Sequence, residues 1–328
     1  MDQQNLLGFE DPEDLTGLQS QASRLVPKLK AMSDEGIYFG TSSWKYEGWL
    51  GTIYSPELYQ TRNKFSQAKF DNECLSEYAR IFPVVCGDFA FYQFPTTDFW
   101  KKLFGGSPEK LRFSFKVPED ITAVKWPSHA RYGKRAGEMN ESFLDATVFD
   151  SLFLDRLRPY ASRVAPMILE FGTIAKSLMP DVNAFLDRLD PFLAQLPAEF
   201  RYSIETRNPE YLSPAYFDVL SRHKVAHVFN AWTRMPSLDD QAQLEDAFTT
   251  DFTIIRALLP KGRAYEQAVK ALEPYEAIKE PYPSARTGIQ QIVEKSKRKH
   301  WPAYVYVNNR LEGHAPTTIE SIIDAIPT

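Results

Sequence analysis

Eight short apolar runs, each followed by a segment with helical spacing, constrain the fold of this chain more than any other feature. The runs are IYFGTSS (37–43), VVCGDF (84–89), RFSFKVP (112–118), PMILEFG (166–172), RYSIETR (201–207), AHVFNAW (226–232), FTIIRALL (252–259) and AYVYVNN (303–309). Between them lie stretches such as DVNAFLDRLDPFLAQL (181–196), PAYFDVLSRH (214–223) and TTIESIIDAI (317–326). Strands joined through helices lie parallel, because the crossover returns the chain to the same end of the sheet. Eight such units close a barrel. An open doubly wound sheet usually has fewer strands and often a glycine-rich phosphate loop after the first; no GxGxxG or P-loop is present. The expected fold is α/β, a TIM-type (β/α)8 barrel over residues 36–328.

Residues 1–35 fall outside this alternation and read as an N-terminal extension. Asp11-Pro12-Glu13-Asp14 has the chemistry of a helix start, and Leu15, Leu18, Ala22, Leu25, Val26 and Leu29 follow at helical spacing. The expectation is a helix on the barrel exterior, away from any site.

A chain of 328 residues suits one barrel. The net charge of −5 disfavours a globally basic nucleic-acid binder, although a local basic patch is compatible with it. Cys74 and Cys86 have no metal-like spacing, and the five histidines form no HExxH or helical pair. Neither a metal nor another cofactor is therefore expected. The acidic start lacks an apolar signal core, and no run approaches the roughly 20 apolar residues of a membrane helix. These features predict a cytoplasmic protein without a membrane partner; they say nothing of oligomeric state.

In such a barrel the chemistry sits at the C-terminal ends of the strands. Polar residues collect there. Ser114 and Lys116 share one phase of the third run, Ser203, Glu205 and Arg207 one phase of the fifth; Arg256 interrupts the seventh, and Asn308 follows Tyr304 and Tyr306 in phase. Asp88, Glu170 and Asn230 end the second, fourth and sixth. Charges within apolar sequence must be paired or solvated. Lys116, Arg207 and Arg256 with Asp88, Glu170 and Glu205 therefore form either a buried brace or a polar ligand site. Their gathering at one end favours the site, and predicts a wet mouth in which Arg256→Ala costs only about 0–1 kcal/mol.

The motifs GTSSWKYEGWLGTIY, FAFYQFP, FSFKVPEDIT, IETRNPEY and YVYVNNRLEGHAP resemble, in order, the landmarks of the domain-of-unknown-function 72 family, also called YecE-like proteins. The similarity runs from about residue 36 to the end of the chain. It implies a TIM-type barrel and supplies no reaction. Lys116, Glu205, Arg207, Arg256 and Asn308 match the family pattern, as do Asn309, Gly313 and His314. The family's Glu-x-Asn is replaced by Cys86-Gly87-Asp88, its Gln-Leu-Pro by Glu170-Phe171-Gly172, and two of its histidines by Asn208 and Leu258. The chain reads as a divergent member.

The stretch GTSSWKYEGWLGTIYSPELY (40–59) carries Trp44, Tyr46, Trp49, Tyr54 and Tyr59 at no strand-like period. It reads either as aromatic walls over the barrel mouth or as a packed plug. Rings of this kind both stack and hydrogen-bond. The loop KWPSHARYGKRAG (125–137) either gathers an anion with its cations or is a solvated loop. EKSKRKH (294–300) has the basic character of a helix C-terminus.

Together these features point to a cofactor-independent enzyme acting on a polar, anionic or sugar-like small molecule, which could contain phosphate. Glu205 is the expected general acid/base, and Lys116 the cation that stabilises developing charge. Trp44, Tyr46, Trp49, Asp88, Arg207, Asn230, Arg256, Asn308 and His314 are the expected ligand contacts. Two alternatives stay open: a non-catalytic ligand-binding protein with a degenerate site, and a metal-assisted phosphoester hydrolase or nuclease.

Overall fold

The computed structural model describes residues 18–327. Among them eight strands form one parallel sheet: β1 Ile37–Thr41, β2 Val84–Gly87, β3 Arg112–Phe115, β4 Met167–Phe171, β5 Tyr202–Thr206, β6 Ala226–Ala231, β7 Thr253–Ala257 and β8 Ala303–Val307. Every run expected from sequence contains one of them. The order around the sheet is β3-β2-β1-β8-β7-β6-β5-β4. The two end strands meet through parallel bridges, Phe113 with Val164 and Lys116 with Ile168. The sheet thereby closes on itself as a (β/α)8 barrel, and its backbone groups find partners without an exposed edge.

Local chemistry starts the helices where they are needed. Ser66, Thr96, Asp181, Ser213 and Ser237 each accept an amide hydrogen bond as N-caps of Gln67–Ile81, Thr97–Gly105, Val182–Leu193, Pro214–Arg222 and Leu238–Ala242. The basic run at 297–299 ends helix Pro283–Lys299, and His300 follows in the left-handed conformation. Gly288 lets this helix cross Leu238–Ala242 closely: a Cβ there would stand 2.4 Å from Leu238 backbone carbon.

Two apolar layers result. Val84, Cys86, Ile168, Val228, Ile254, Tyr304 and Tyr306 fill the barrel interior. The outward residues of the strands, such as Phe39, Phe113, Leu169 and Val305, pack against the ring of helices. The inward phase read from sequence is kept to the strand ends. The register sets Glu170 beside Glu205, Asn230 beside Arg256, and Arg256 beside Tyr306, and the Tyr306 and Ser114 hydroxyls are 2.7 Å apart.

The N-terminal segment contributes helix Ser20–Asp34, which buries Ala22, Leu25, Leu29 and Met32. The expected start at Asp11, and Leu15, lie outside the described residues. The helix docks on Ala315–Ile323: Gln21 Nε2 donates to Thr317 Oγ1 at 2.8 Å, Arg24 and Lys28 pair with Glu320 at 3.2 and 3.3 Å, and Lys28 pairs with Asp324 at 2.6 Å. Among the described residues no helix is long and apolar enough to cross a membrane.

Candidate functional site

The charged residues singled out by sequence converge at the C-terminal mouth of the barrel. Arg256 Nη1 donates to Glu205 Oε2 and, at 2.7 Å, to Glu170 Oε2. Arg207 Nη2 stands 3.1 Å from Glu170 Oε2 and 2.5 Å from Glu205 Oε1. Lys116 Nζ is 3.2 Å from Glu170 Oε1 and 3.9 Å from Asp88 Oδ1. Asp88 also lies 3.7 Å from Arg256 Nη2. Three cations and three carboxylates thus balance in one network.

The network is drier than the sequence led one to expect. Glu205 is 0% exposed, Arg256 2%, Arg207 4% and Lys116 6%. Aromatic rings cap two of the cations: Lys116 Nζ is 3.7 Å from the Phe91 centroid, and Arg207 Cζ 3.9 Å from that of Trp232. The expectation of a wet mouth around Arg256 is therefore corrected. The loops after β2 and β6 fold inward and place rings where water would have stood.

Burial pushes the Glu170 carboxyl up, but Lys116, Arg207 and Arg256 outweigh it and hold it well below the usual carboxylate range. Burial lowers Lys116 and Arg256; Glu170 and Asp88 reverse this for the lysine, and Glu205 leads the reversal for the arginine. The network carboxylates that reach accessible surface are Asp88, with 45% of its side chain exposed, and Glu170, with 15%.

Each of the two opens on a different cavity. Asp88 lines a space of about 620 Å³ together with Ser42, Trp44, Tyr46, Phe89 and Asn308. Lys45, Lys102 and Arg310 bring positive charge to the same lining, and Asp71 a further carboxylate. Two buried polar atoms here lack a protein hydrogen bond: Ser42 Oγ, on a residue 3% exposed, and Asp88 Oδ1, whose only close cations are Lys116 and Arg256 at ion-pair distance. Arg310 lies over the ring of Tyr265, 4.5 Å from its centroid, which fixes the guanidinium. Glu170 lines a smaller cavity of about 280 Å³ on the other side of the network.

Of the residues expected as ligand contacts, Trp44, Tyr46, Asp88 and Asn308 line the larger cavity. Glu205, Lys116, Arg207 and Arg256 line neither: Arg207 and Arg256 hold Glu205, and Lys116 reaches Glu170 and Asp88. Trp49, Asn230 and His314 line neither cavity and are held within the protein. Trp49 is fully buried, donates to Asn309 Oδ1 at 3.3 Å and stacks on Tyr54. With Tyr54, Tyr59 and Phe70 it forms a packed plug, because the loop turns back on itself through short helical turns at Glu47–Trp49 and Pro56–Tyr59. Glu77 holds that plug: its carboxylate accepts from the Ser55 amide at 3.0 Å, the Ser55 hydroxyl at 2.6 Å and the Tyr59 hydroxyl at 2.7 Å. Asn230, 0% exposed, donates to the carbonyls of Val228 and Thr206. His314 caps helix Ala315–Ile323 through Nδ1.

Sequence reasoning missed Ser42, Lys45, Asp71, Phe89, Lys102 and Arg310. Arg310 follows Asn308-Asn309 directly and was within reach. Lys102 sits on a helix whose exposed face carries no signal of its own. Most of the loop at 125–137 is exposed, with Trp126 and Tyr132 buried beneath it. Arg135 pairs with Asp120 at 3.1 Å and lies over Trp126, while Arg131 is held by the Tyr132 hydroxyl. Its cations do not converge on an anion. No group of three or more His, Cys, Asp or Glu side chains stands ready to share a metal ion among the described residues.

Two buried histidines make stability depend on pH. Burial lowers His314 to about 4, and lowers His227, enclosed by Tyr216, Phe217 and Phe229, to about 3. An unfolded chain protonates both near pH 6.5, so it binds more protons than the folded one below that value and stability falls with pH. Each histidine should account for a loss of roughly 2–3 kcal/mol between pH 7 and 4.5, continuing until pH passes the folded value. Urea midpoints at the two pH values test this. The loss should shrink in His227→Phe, and an unchanged loss would show that the ring protonates in place.

The model of the family described as "Protein of unknown function DUF72" matches residues 38–327. The UPF0759 protein YecE of Escherichia coli (strain K12) is 24% identical over 178 residues, 54% of this chain and 50% of that one. The chain thus matches about half the length of this curated relative. A DUF72 family protein from Thermotoga maritima, 18% identical, superposes with a TM-score of 0.57 over 88% of this chain and 98% of its own. One from Enterococcus faecalis, 16% identical, does so with 0.57 over 89% and 97%. At these identities the solved structures speak for the fold alone.

Proposed function

The chain belongs to the DUF72 family, and from that premise we propose that it is a barrel enzyme acting on a polar small molecule with an anionic group, bound in the larger cavity. The observation that carries this reading is the buried Ser42 hydroxyl, which has no hydrogen-bond partner, beside the half-exposed Asp88 carboxylate in an aromatic-walled space edged by three cations. A buried hydroxyl or carboxylate oxygen without a partner costs stability unless a ligand or water completes it. Lys45, Lys102 and Arg310 suit a phosphate or carboxylate, and Trp44 with Phe89, edge to face at 5.9 Å, suits the ring of a sugar or base.

Asp88 is the proton-transfer group of this proposal. It faces the cavity, whereas Glu205 is sealed from it. Lys116 and Arg256 stand behind Asp88, at 3.9 and 3.7 Å from its Oδ1. Glu205 acts through them as a positioning residue, holding Arg256 in place.

Thermal shift against sugar phosphates, nucleotides and their neutral counterparts tests the binding half. Phosphorylated compounds should stabilise the protein. Arg310→Ala should weaken them roughly ten- to a hundred-fold, the loss of one charge-assisted hydrogen bond of about 1.5–3 kcal/mol. Equal shifts from neutral and phosphorylated compounds would overturn the anionic reading. Turnover of a stabilising compound, followed by NMR, should fall about 10²–10⁴-fold in Asp88→Asn while binding persists. If wild-type protein leaves every such compound intact, it is a binding protein.

A further inference from the structure

The smaller cavity has a different chemistry. Its roof is the excursion after β3, closed by an antiparallel bridge between Lys125 and Met139 and by the Trp126 amide donating to the Glu138 carbonyl at 2.9 Å. Its floor is the end of β4, with Glu170 followed by Gly172, Thr173 and Ile174. Glu119 enters from the side. It is 5% exposed, accepts the Tyr132 hydroxyl on Oε2 at 2.7 Å, and receives no protein hydrogen bond on Oε1 among the described residues. A carboxyl group buried to this degree, bordering a cavity with one oxygen unused, is a binding group without its partner.

The charges here do not suit an anion. Arg131 is engaged by the Tyr132 hydroxyl and lies between the rings of Tyr92 and Tyr132, 4.4 and 4.7 Å from their centroids. Lys125 is exposed at the edge, and two carboxyl groups face inward. Burial raises the Glu119 carboxyl, against the opposing pull of Tyr132 and Arg131, whereas its neighbour Glu170 is kept ionised by three cations. One carboxyl group is thus inclined to donate a hydrogen bond and the other only to accept. Phe91, Val124, Pro127 and Leu178 supply apolar walls between them. At about 280 Å³, the space falls just below the range of roughly 300–1,000 Å³ for clefts that take drug-sized ligands, and so suits a single small ring.

We infer that this cavity is a second binding site, separate from the larger one, for a single neutral polyhydroxylated ring. Alternating hydroxyl and C–H faces of such a ring match alternating carboxyl groups and apolar walls. Glu119 and Glu170 hold vicinal hydroxyls, the Tyr132 hydroxyl fixes the Glu119 carboxyl, and Phe91 packs on the ring face. The network then has a ligand site at each end, Asp88 at one and Glu170 at the other.

Saturation-transfer NMR with millimolar myo-inositol and glucose tests it. Wild-type protein should give a transfer signal with at least one of the two. Glu119→Leu should lose the signal. Thr173→Trp, a change at an exposed lip position that leaves the carboxyl groups in place, should lose it too and guards against a folding defect in the first variant. Arg310→Ala, in the other cavity, should keep it. A silent wild type, or a signal that survives Thr173→Trp, overturns the inference. Loss in Arg310→Ala with retention in Thr173→Trp would place the sugar in the larger cavity, which leaves the proposed function standing while this inference fails.

Discussion

Arg256→Ala should lower unfolding stability by about 3–5 kcal/mol, the cost of breaking a buried ion pair from one side. The guanidinium holds two carboxylates, Glu205 and Glu170, and Glu205 has no exposed surface from which water could replace it. Arg207 remains as a partner, but its Nη2 already serves both carboxylates. The loss should appear as a shift in denaturant midpoint with the slope unchanged. Replacing both partners, Arg256→Met with Glu205→Leu, should cost less than the two single changes added together, because no isolated buried charge is left behind. A loss of only about 0–1 kcal/mol for Arg256→Ala, the scale of exposed pairs, would mean that water enters the network and that the rings of Phe91 and Trp232 do not seal it.

Glu312→Ala should cost a similar amount, about 3–5 kcal/mol. The side chain is 0% exposed and collects four donors: Arg286 Nε at 2.8 Å and Nη2 at 2.7 Å, the Tyr282 amide at 2.5 Å and the Thr318 hydroxyl at 2.7 Å. Its backbone carbonyl accepts from the Lys279 and Glu280 amides as well. Gly313 follows at φ +115°, where a Cβ would stand 2.6 Å from the Ala277 carbonyl oxygen. This segment therefore locks the loop before helix Pro283–Lys299 to the loop before Ala315–Ile323. Glu312→Gln, which keeps an acceptor for part of this set, should lose distinctly less. Equal losses for the two variants would show that shape, and not charge, holds the junction.

The architecture was legible in sequence because each strand announces itself locally. Runs such as PMILEFG and FTIIRALL are apolar on both phases, as strands covered on both faces must be. The shared phase of Ser203, Glu205 and Arg207, and that of Tyr304, Tyr306 and Asn308, followed from alternation alone. What alternation cannot reveal is how far the loops fold back over the mouth. Lys116 and Arg207 were placed correctly at one end of the barrel, yet whether they are wet depends on Phe91 and Trp232, which lie on other loops. The same limit explains Trp49 and His314: both sit in family-like motifs close to the mouth, but one belongs to a plug anchored by Glu77 and the other caps a helix. Motif position reported proximity to the site, and contact with it depended on loop packing.

The docking of helix Ser20–Asp34 on Ala315–Ile323 bears on how the protein is made. Gln21 and Thr317 are separated by 296 positions in the chain, so the helix made earlier waits for that length of chain before its partner exists. Until then the stripe of Ala22, Leu25, Leu29 and Met32 lacks part of its cover, and β1 lacks its neighbour β8. Contacts of such separation form slowly because chain entropy must be lost before they repay it. The barrel can close only once Ala303–Val307 has been made, and helix Ala315–Ile323 then secures helix Ser20–Asp34.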